Sequence, residues 1–334
     1  MNRNKIYTDI DVKINCVKDK IVGIIGYGSQ GRAQALNLKD SGVDVLIGLR
    51  KNSPSIKIAQ NDGFENILSI AELSKKSDII SLLIPDEEIP HVFKNDLENN
   101  LYEGKTLLFS HGYCIHYDKI SIPQNVNVIM VAPSGAGEIV RTRFLEDSGI
   151  PNLIAIHQDF TNDAFEIALS YSKCIGGTRV GSFISTFEEE VITDLFGEQA
   201  ILTGGIPSLI KKSFDVLVEH GYSPTVAWFV CYYEVKAIID LFYDKGFDHL
   251  NKSISNIAEY GGHTRGDFLF DDNFKNKLSL MLSQIKNGSF DKEWLNEQKD
   301  GYKYLKSKRN NTKELEIEKI NKKMFDLLNS NFKK

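Results

Sequence analysis

Apolar residues follow two different patterns along this 334-residue chain. Over residues 1–180, short apolar runs alternate with segments whose apolar positions recur every three or four residues. The runs are 21–25 (IVGII), 43–48, 77–84 (SDIISLLI), 106–110, 127–131 and 153–157, each followed by turn-forming or charged residues. This alternation predicts strands and helices in turn, hence a parallel sheet covered by helices. From about residue 183 the strand pattern stops. Residues 187–212, 224–245, 252–260, 273–287 and 291–308 carry apolar residues at helical spacing, which predicts an all-helical second half. Ala237, Ile238, Ile239, Leu241, Phe242 and Tyr243 leave little polar face. A helix apolar all round is a buried one, and burial on that scale points to the core of a dimer. The segment from Lys303, rich in Lys and Asn, reads as a solvated terminal helix and tail. The expected division is an α/β domain over 1–182 and an all-helical domain over 183–330.

Composition narrows the class without changing this picture. Hydrophobic residues make up 42% and charged residues 25%, as in ordinary globular chains. A net charge of −5 offers no general attraction for nucleic acid. No apolar run reaches the length of a membrane span. Residues 1–13 contain no apolar core of a secretory leader, so a cytoplasmic protein is expected. Cys16, Cys114, Cys174 and Cys231 are scattered with no C-x-x-C pair, which suits free thiols in a reducing compartment.

The first run ends in Gly26-Tyr27-Gly28-Ser29-Gln30-Gly31, a G-x-G-x-x-G between a predicted strand and a predicted helix. In a Rossmann unit the first glycine makes the tight turn. The second lets backbone approach a pyrophosphate, and the third lets helix pack on strand. The N–H groups at the helix start face the phosphates. Units that bind NAD carry an Asp or Glu at the end of the second strand for the ribose 2′-hydroxyl. Here that strand ends in Arg50-Lys51-Asn52-Ser53-Pro54-Ser55, cations and hydroxyls suited to a 2′-phosphate. NADPH is therefore the expected cofactor. Three further strands end in Pro85-Asp86-Glu87-Glu88, in His111 and in Ser134–Gly137, written PSGAG over 133–137, at the edge where such sheets bind ligands. His111 is a candidate acid or base there, against the simpler reading of a residue closing a strand end. His116, His157 and His263 have no such support.

On the helical side Asp194 and Glu198 are four apart and share a helix face. Their apolar neighbours Leu195, Phe196, Ile201 and Leu202 suggest burial, and two buried carboxylates repel unless a cation sits between them. Oxygen ligands of this kind suit Mg²⁺. Glu234 stands among Trp228, Phe229, Val230, Tyr232 and Tyr233, again a charge in apolar company. Each alone reads more readily as an ion-paired core carboxylate than as a metal ligand, and three of them near a nicotinamide site shift that balance.

Taken together, GYGSQG at 26–31, NLKDSG at 37–42, GLR at 48–50, PDE at 85–87, HG at 111–112, TDLFGEQ at 193–199, SISN at 253–256 and AEYG at 258–261 resemble the ketol-acid reductoisomerases (acetohydroxy acid isomeroreductases) of the short class I form. The resemblance covers nearly the whole chain. It implies a Rossmann domain followed by an all-α domain of the intertwined, knotted type, forming a homodimer whose active sites are shared between subunits. It implies a two-step reaction. Mg²⁺ drives an alkyl migration in 2-acetolactate or 2-aceto-2-hydroxybutyrate, and NADPH then reduces the new 2-keto group, on the route to branched-chain amino acids. Carried over by position, His111 matches the active-site histidine and Ser255 a substrate contact. Asp194 and Glu198 match Mg²⁺ ligands, Glu198 with a catalytic part as well. Glu234 matches a ligand and catalytic group from the other subunit. Arg50, Ser53 and Ser55 match the grip on the 2′-phosphate. Gly26, Tyr27, Gly28, Ser29, Gln30, Gly31, Pro85, Asp86, Glu87, Glu88, His111 and Gly137 match the remaining cofactor contacts.

Two positions depart from the family pattern. Val230 stands where the family has a second glutamate, four residues before the position of Glu234, and valine coordinates nothing. Ser134 stands where the family has a lysine, and Ala136 replaces a proline in the same turn. Ile192 also stands where a glutamate is usual. These losses fall on the metal and acid–base apparatus, while the cofactor grip is intact. One Mg²⁺ site is expected to survive and the second to be weakened. The leading reading is an NADPH-dependent reductase of a small 2-keto acid or related C=O or C=N substrate, with the isomerase half lost or weakened. The alternatives are a working ketol-acid reductoisomerase, with water or Glu190 filling the gap at Val230, and a nucleotide-binding homologue without turnover.

Overall fold

The computed structural model describes residues 5–13 and 15–332. The chain divides into two compact units, Met1–Val191 and Ile192–Lys334. This division falls later than the one expected after residue 182. Phe187, Glu190 and Val191 are buried at the start of the helix Phe187–Gly197. Phe187 lies edge-on to Phe109 at 6.2 Å and to His157 at 5.7 Å, which ties the helix start to the first unit.

The first unit is built on a nine-stranded sheet. Its strands are β1 (Ile6–Tyr7), β2 (Ile21–Ile25), β3 (Asp44–Gly48), β4 (Ile67–Leu68), β5 (Ile79–Leu82), β6 (Thr106–Phe109), β7 (Asn127–Pro133), β8 (Asn152–Gln158) and β9 (Ser182–Ile184). Their order is β1-β9-β8-β7-β6-β5-β2-β3-β4. β3 and β5 flank β2 and both run parallel to it. The chain therefore leaves β2 to one side and returns to the other, and the crevice of such sheets opens at that reversal. The central strands are buried on both faces and largely apolar, with Ser81, Thr106 and Asn127 the buried polar exceptions.

The sheet is mixed, not wholly parallel as expected. β8 runs antiparallel to β7, with Pro133 opposite Asn152, and β1 runs antiparallel to β9. The intervening residues 134–151 contain a helix, Gly137–Leu145, but begin and end at the same edge, where Ser134 N–H donates to Pro151 O at 2.9 Å. A connection that returns to its own edge reverses the strand. β1, β4 and β9 are two or three residues long, too short to show a period in sequence.

The second unit is all helical, with principal helices Gly205–Glu219, Val235–Ser253, Asn256–Leu269, Asp272–Lys286, Ser289–Lys299, Lys303–Glu314 and Glu316–Phe332. The run expected over 291–308 is broken by Gly301 and Tyr302, both at positive φ. The run expected over 252–260 begins instead at Ser255, whose hydroxyl caps the helix Asn256–Leu269. Phe214, Ala227, Trp228 and Ile317 form a small buried core. The end of the chain is part of that core, contrary to the expected solvated tail. Ile317, Ile320, Met324 and Leu328 of the last helix pack on it, and Trp228 Nε1 donates to Asn321 Oδ1 at 3.2 Å. Their spacing of three and four residues makes one apolar stripe, hidden in sequence by the lysines and asparagines between them. The expected burial of the helix over 235–245 is not met within one chain. No described residue of Val235–Ser253 or Asn256–Leu269 is buried, and Tyr243, Phe247 and Ile257 are more than two-thirds exposed. Among the described residues, no helix is long and apolar enough to cross a membrane.

Candidate active site

The glycine motif folds as its spacing requires. Gly26 has φ +98°, and a Cβ there would lie 2.4 Å from Leu83 O. Gly28 is the N-cap of the helix Ser29–Asp40, with no side chain closing the cap. A Cβ on Gly28 would meet nothing within 4 Å. Open space in front of uncapped N–H groups fits a pyrophosphate. A cleft of about 490 Å³ runs from this turn and is lined by Gly26, Gly28, Arg50, Ser53, Ser55 and Pro85, among others. Arg50, Ser53 and Ser55 come from the turn after β3, where Ser53 N–H donates to Arg50 O at 3.0 Å. They bring one cation and two hydroxyls to one wall, a donor set that fits a phosphate dianion.

Tyr27 also borders this cleft, and the motif is tied to the rest of the unit by its side chains. The Tyr27 ring is in the core and its hydroxyl donates to Asp62 at 3.0 Å. Burial and the Asp62 carboxylate push its pKa up. Asp62 also accepts from Arg32 at 2.6 and 2.8 Å. Gln30 Nε2 donates to Gly135 O at 2.7 Å, and its Oε1 accepts from Gln34, whose own Oε1 accepts from Tyr171. A Cβ on Gly137 would fall 2.2 Å from Ser29 O. Ser29, Gln30 and Gly137 therefore meet, although more than 100 residues separate them in sequence.

His111 lies just beyond β6, and the turn Asp86–Glu88 just beyond the neighbouring β5. His111 Nδ1 is 2.8 Å from Asp86 Oδ2. The ring stacks on Tyr113 with centroids 6.1 Å apart and planes 19° apart. The next backbone group, Gly112 N–H, donates to Glu190 Oε2 at 2.9 Å. Gly112 has to be glycine because a Cβ would lie 2.9 Å from Phe187 O. Glu190, considered above as a substitute metal ligand, is 4% exposed and anchors the histidine loop. Neither of these partners was legible in sequence. In sequence Asp86 reads as a cofactor contact and Glu190 as a substitute metal ligand, and nothing there pairs either with the histidine loop.

In the second unit, Asp194 lies near the end of the helix Phe187–Gly197. Glu198 opens a π-helical turn, Glu198–Leu202. Glu234 directly follows a second such turn, Phe229–Tyr233. Turns of this kind aim side chains off the regular helical ladder and are frequent at functional sites. Asp194, Glu198, Glu234 and Ser255 are exposed, not buried as their apolar neighbours suggested. Of those neighbours Ile201, Leu202, Val230 and Tyr233 are exposed as well, Leu195 and Phe196 are half-buried, and Trp228 is fully buried. Among the described residues no group of three or more His, Cys, Asp or Glu is gathered as a metal cluster. The Gln199 amide nitrogen, in the same π turn as Glu198, is buried without a hydrogen-bond partner among the described residues.

Comparison with known proteins decides the family. Residues 16–181 match the acetohydroxy acid isomeroreductase NADPH-binding domain, and residues 187–330 match the ketol-acid reductoisomerase C-terminal domain. The chain belongs to the ketol-acid reductoisomerase family. It is 48% identical over 320 residues to the ketol-acid reductoisomerase (NADP(+)) of Methanocaldococcus jannaschii, covering 96% of this chain and 97% of that one. It is 50% identical over 289 residues to the protein of the same name from Petrotoga mobilis, covering 86% and 87%. The solved structure of an NADH-preferring ketol-acid reductoisomerase from an uncultured archaeon superposes with a TM-score of 0.94 at 39% identity, over 97% of this chain and 99% of that one.

Proposed function

We propose that this ketol-acid reductoisomerase family enzyme is an NADPH-dependent oxidoreductase that reduces a small 2-keto acid or a related C=O or C=N group, with its Mg²⁺-dependent alkyl shift weakened. The observation that carries this reading is an asymmetry. Gly26, Gly28, Arg50, Ser53, Ser55 and Pro85 line one cleft, while Val230, at the family's ligand position, presents an exposed isopropyl group.

Residues 1–182 act as the NADPH-binding domain and 183–330 as the catalytic and dimerisation domain. The Gly26–Gly31 turn, with Gly137 against it, holds the pyrophosphate. Arg50, Ser53 and Ser55 grip the 2′-phosphate, and Pro85, Asp86, Glu87 and Glu88 border the nicotinamide half. Bound NADPH supplies the hydride. His111 handles the proton at the acceptor oxygen, and Ser255 contacts the substrate. Asp194 and Glu198 hold one Mg²⁺, with Glu234 reaching the same site from the second subunit. An ion held there would polarise the substrate oxygens. The exposed apolar faces of Val235–Ser253 and Asn256–Leu269 support a homodimer that covers them. The enzyme is assigned to the cytoplasm.

A second reading, a complete ketol-acid reductoisomerase, is favoured by the 48% identity to a relative of that name. One assay separates the two: NADPH oxidation with Mg²⁺ on 2-acetolactate and on its rearranged isomer, 3-hydroxy-3-methyl-2-oxobutyrate. Turnover on the rearranged isomer alone is the expected result. Comparable turnover on both establishes the second reading. Turnover on neither directs the search to other keto and imino acids.

A further inference from the structure

Asp86 belongs to a turn assigned above to the cofactor, but its carboxylate is engaged elsewhere. Pro85 and Glu88, on either side of it, line the cleft. The Asp86 carboxylate instead lies 2.8 Å from His111 Nδ1. β5 and β6 are adjacent and parallel, with Leu82 opposite Phe109, so their carboxyl ends deliver the two residues to one place. The turn is fixed from behind: Glu88 N–H donates to Pro85 O at 2.9 Å, and Cys114 Sγ donates to Asp86 O at 3.3 Å. The histidine segment is fixed too, by Tyr113 against the ring and Glu190 on the next N–H.

An ionised carboxylate only accepts, so the hydrogen at this contact sits on Nδ1. A neutral imidazole has one N–H, and its lone pair is then on Nε2. We propose that Asp86 is the positioning residue for His111, holding the imidazole in the Nδ1–H form so that Nε2 is the nitrogen that exchanges a proton with the substrate. This rests on the reading of His111 as the acid–base group. As hydride from NADPH reaches the carbonyl carbon, the carbonyl oxygen takes the proton from Nε2 of the doubly protonated ring. The ring returns to its neutral Nδ1–H form, and solvent water restores the Nε2 proton.

The test uses the full-length protein with ring-¹⁵N-labelled histidine, and His111→Gln to assign the His111 signals. Wild type is expected to show Nδ1–H at neutral pH. Asp86→Asn and Asp86→Ala are expected to shift the tautomer toward Nε2–H. They lower kcat on the rearranged 2-keto acid by about 10- to 100-fold, the usual effect of removing the partner that orients a functional histidine. The loss in kcat is expected to exceed any change in KM or NADPH affinity, and Asp86→Glu recovers part of kcat. A thermal melt of each variant separates this effect from misfolding. If Asp86→Ala fails to fold, the near-isosteric Asp86→Asn decides. An unchanged tautomer, or a loss confined to NADPH affinity, overturns the proposal. If wild type turns over no keto or imino acid while the tautomer still follows Asp86, the functional reading fails and the pairing stands.

Discussion

The two units differ in how much of their apolar surface one chain covers. In the first, strands β2, β5, β6 and β7 are buried along nearly their whole length. In the second, the buried core is essentially Phe214, Ala227, Trp228 and Ile317. Most large apolar side chains of helices Val235–Ser253 and Asn256–Leu269 face outward. The contrast separates the two halves of the proposed chemistry. Gly26, Gly28, Arg50, Ser53 and Ser55 line one cleft within the first unit. Asp194, Glu198 and Glu234 are exposed, near exposed Ile201, Leu202 and Val230. On the reading proposed above, these carboxylates serve a site completed by a second subunit, and the substitution at Val230 leaves the cofactor cleft untouched.

The largest test of this contrast is Trp228→Ala. Trp228 is fully buried and stacks on Tyr232 at 5.7 Å. Truncation of such a residue costs about 3–5 kcal/mol, which the second unit's small core cannot absorb. Urea unfolding is expected to show early loss of the second unit and of the dimer, while NADPH titration still reports binding. Simultaneous loss of both would break the comparison.

Arg50→Ala probes the first unit alone. A charge-assisted contact to phosphate is worth about 1.5–3 kcal/mol, so NADPH affinity is expected to fall about 10- to 100-fold while NADH affinity barely changes. Fluorescence titration with both cofactors reads this directly. Equal loss for NADH would remove Arg50 from the 2′-phosphate site.

Lys105 reports how tightly the first unit is closed. It is fully buried just before β6, where Nζ donates to Ser74 O and Ser77 O and lies 3.8 Å over the Tyr102 ring. Burial pulls its pKa down from 10.5 to about 8, with Asp78 opposing the shift. Between these values the unfolded chain holds a proton that the folded chain has released, so unfolding takes up a proton. Stability is therefore expected to rise with pH across this window, at up to about 1.4 kcal/mol per pH unit. Below about pH 8 the lysine is charged in both states and the slope vanishes. Denaturation of wild type and Lys105→Met from pH 7 to 10.5 checks this: the slope belongs to wild type and is absent in the variant.

What could be read in advance follows the same divide. The turn at 26–31 was legible because its chemistry is backbone chemistry, and Gly26, Gly28 and Arg50 lie where their spacing puts them. The Asp86–His111 pair was not, because it depends on the alignment of β5 with β6. The reversal of β8 was hidden by the helix in 134–151, which resembles an ordinary crossover until its two ends are seen together. The apolar stripe of Ile317, Ile320 and Met324 was masked by surrounding lysines and asparagines. The exposure of Asp194 and Glu198 was not legible because apolar neighbours imply burial, and here Ile201 and Leu202 are themselves exposed.

The smallest expected effect is the most direct test of drift at the shared site. Val230→Glu returns a carboxylate to the one ligand position where valine coordinates nothing. Val230 is about half exposed, so the longer side chain meets no packed core and the fold is expected to tolerate it. One added oxygen ligand tightens a hard-cation site. The effect on the second Mg²⁺ is expected to be about tenfold or less, because Ser134, exposed at the end of β7, still replaces the family's lysine. Calorimetric Mg²⁺ titration and the ratio of turnover on 2-acetolactate to that on its rearranged isomer measure the gain. A rise in that ratio with NADPH affinity unchanged ties the weakened step to the shared metal site. An unchanged ratio with a tighter second ion moves the cause to Ser134, and Ser134→Lys in the Val230→Glu background is then expected to raise it.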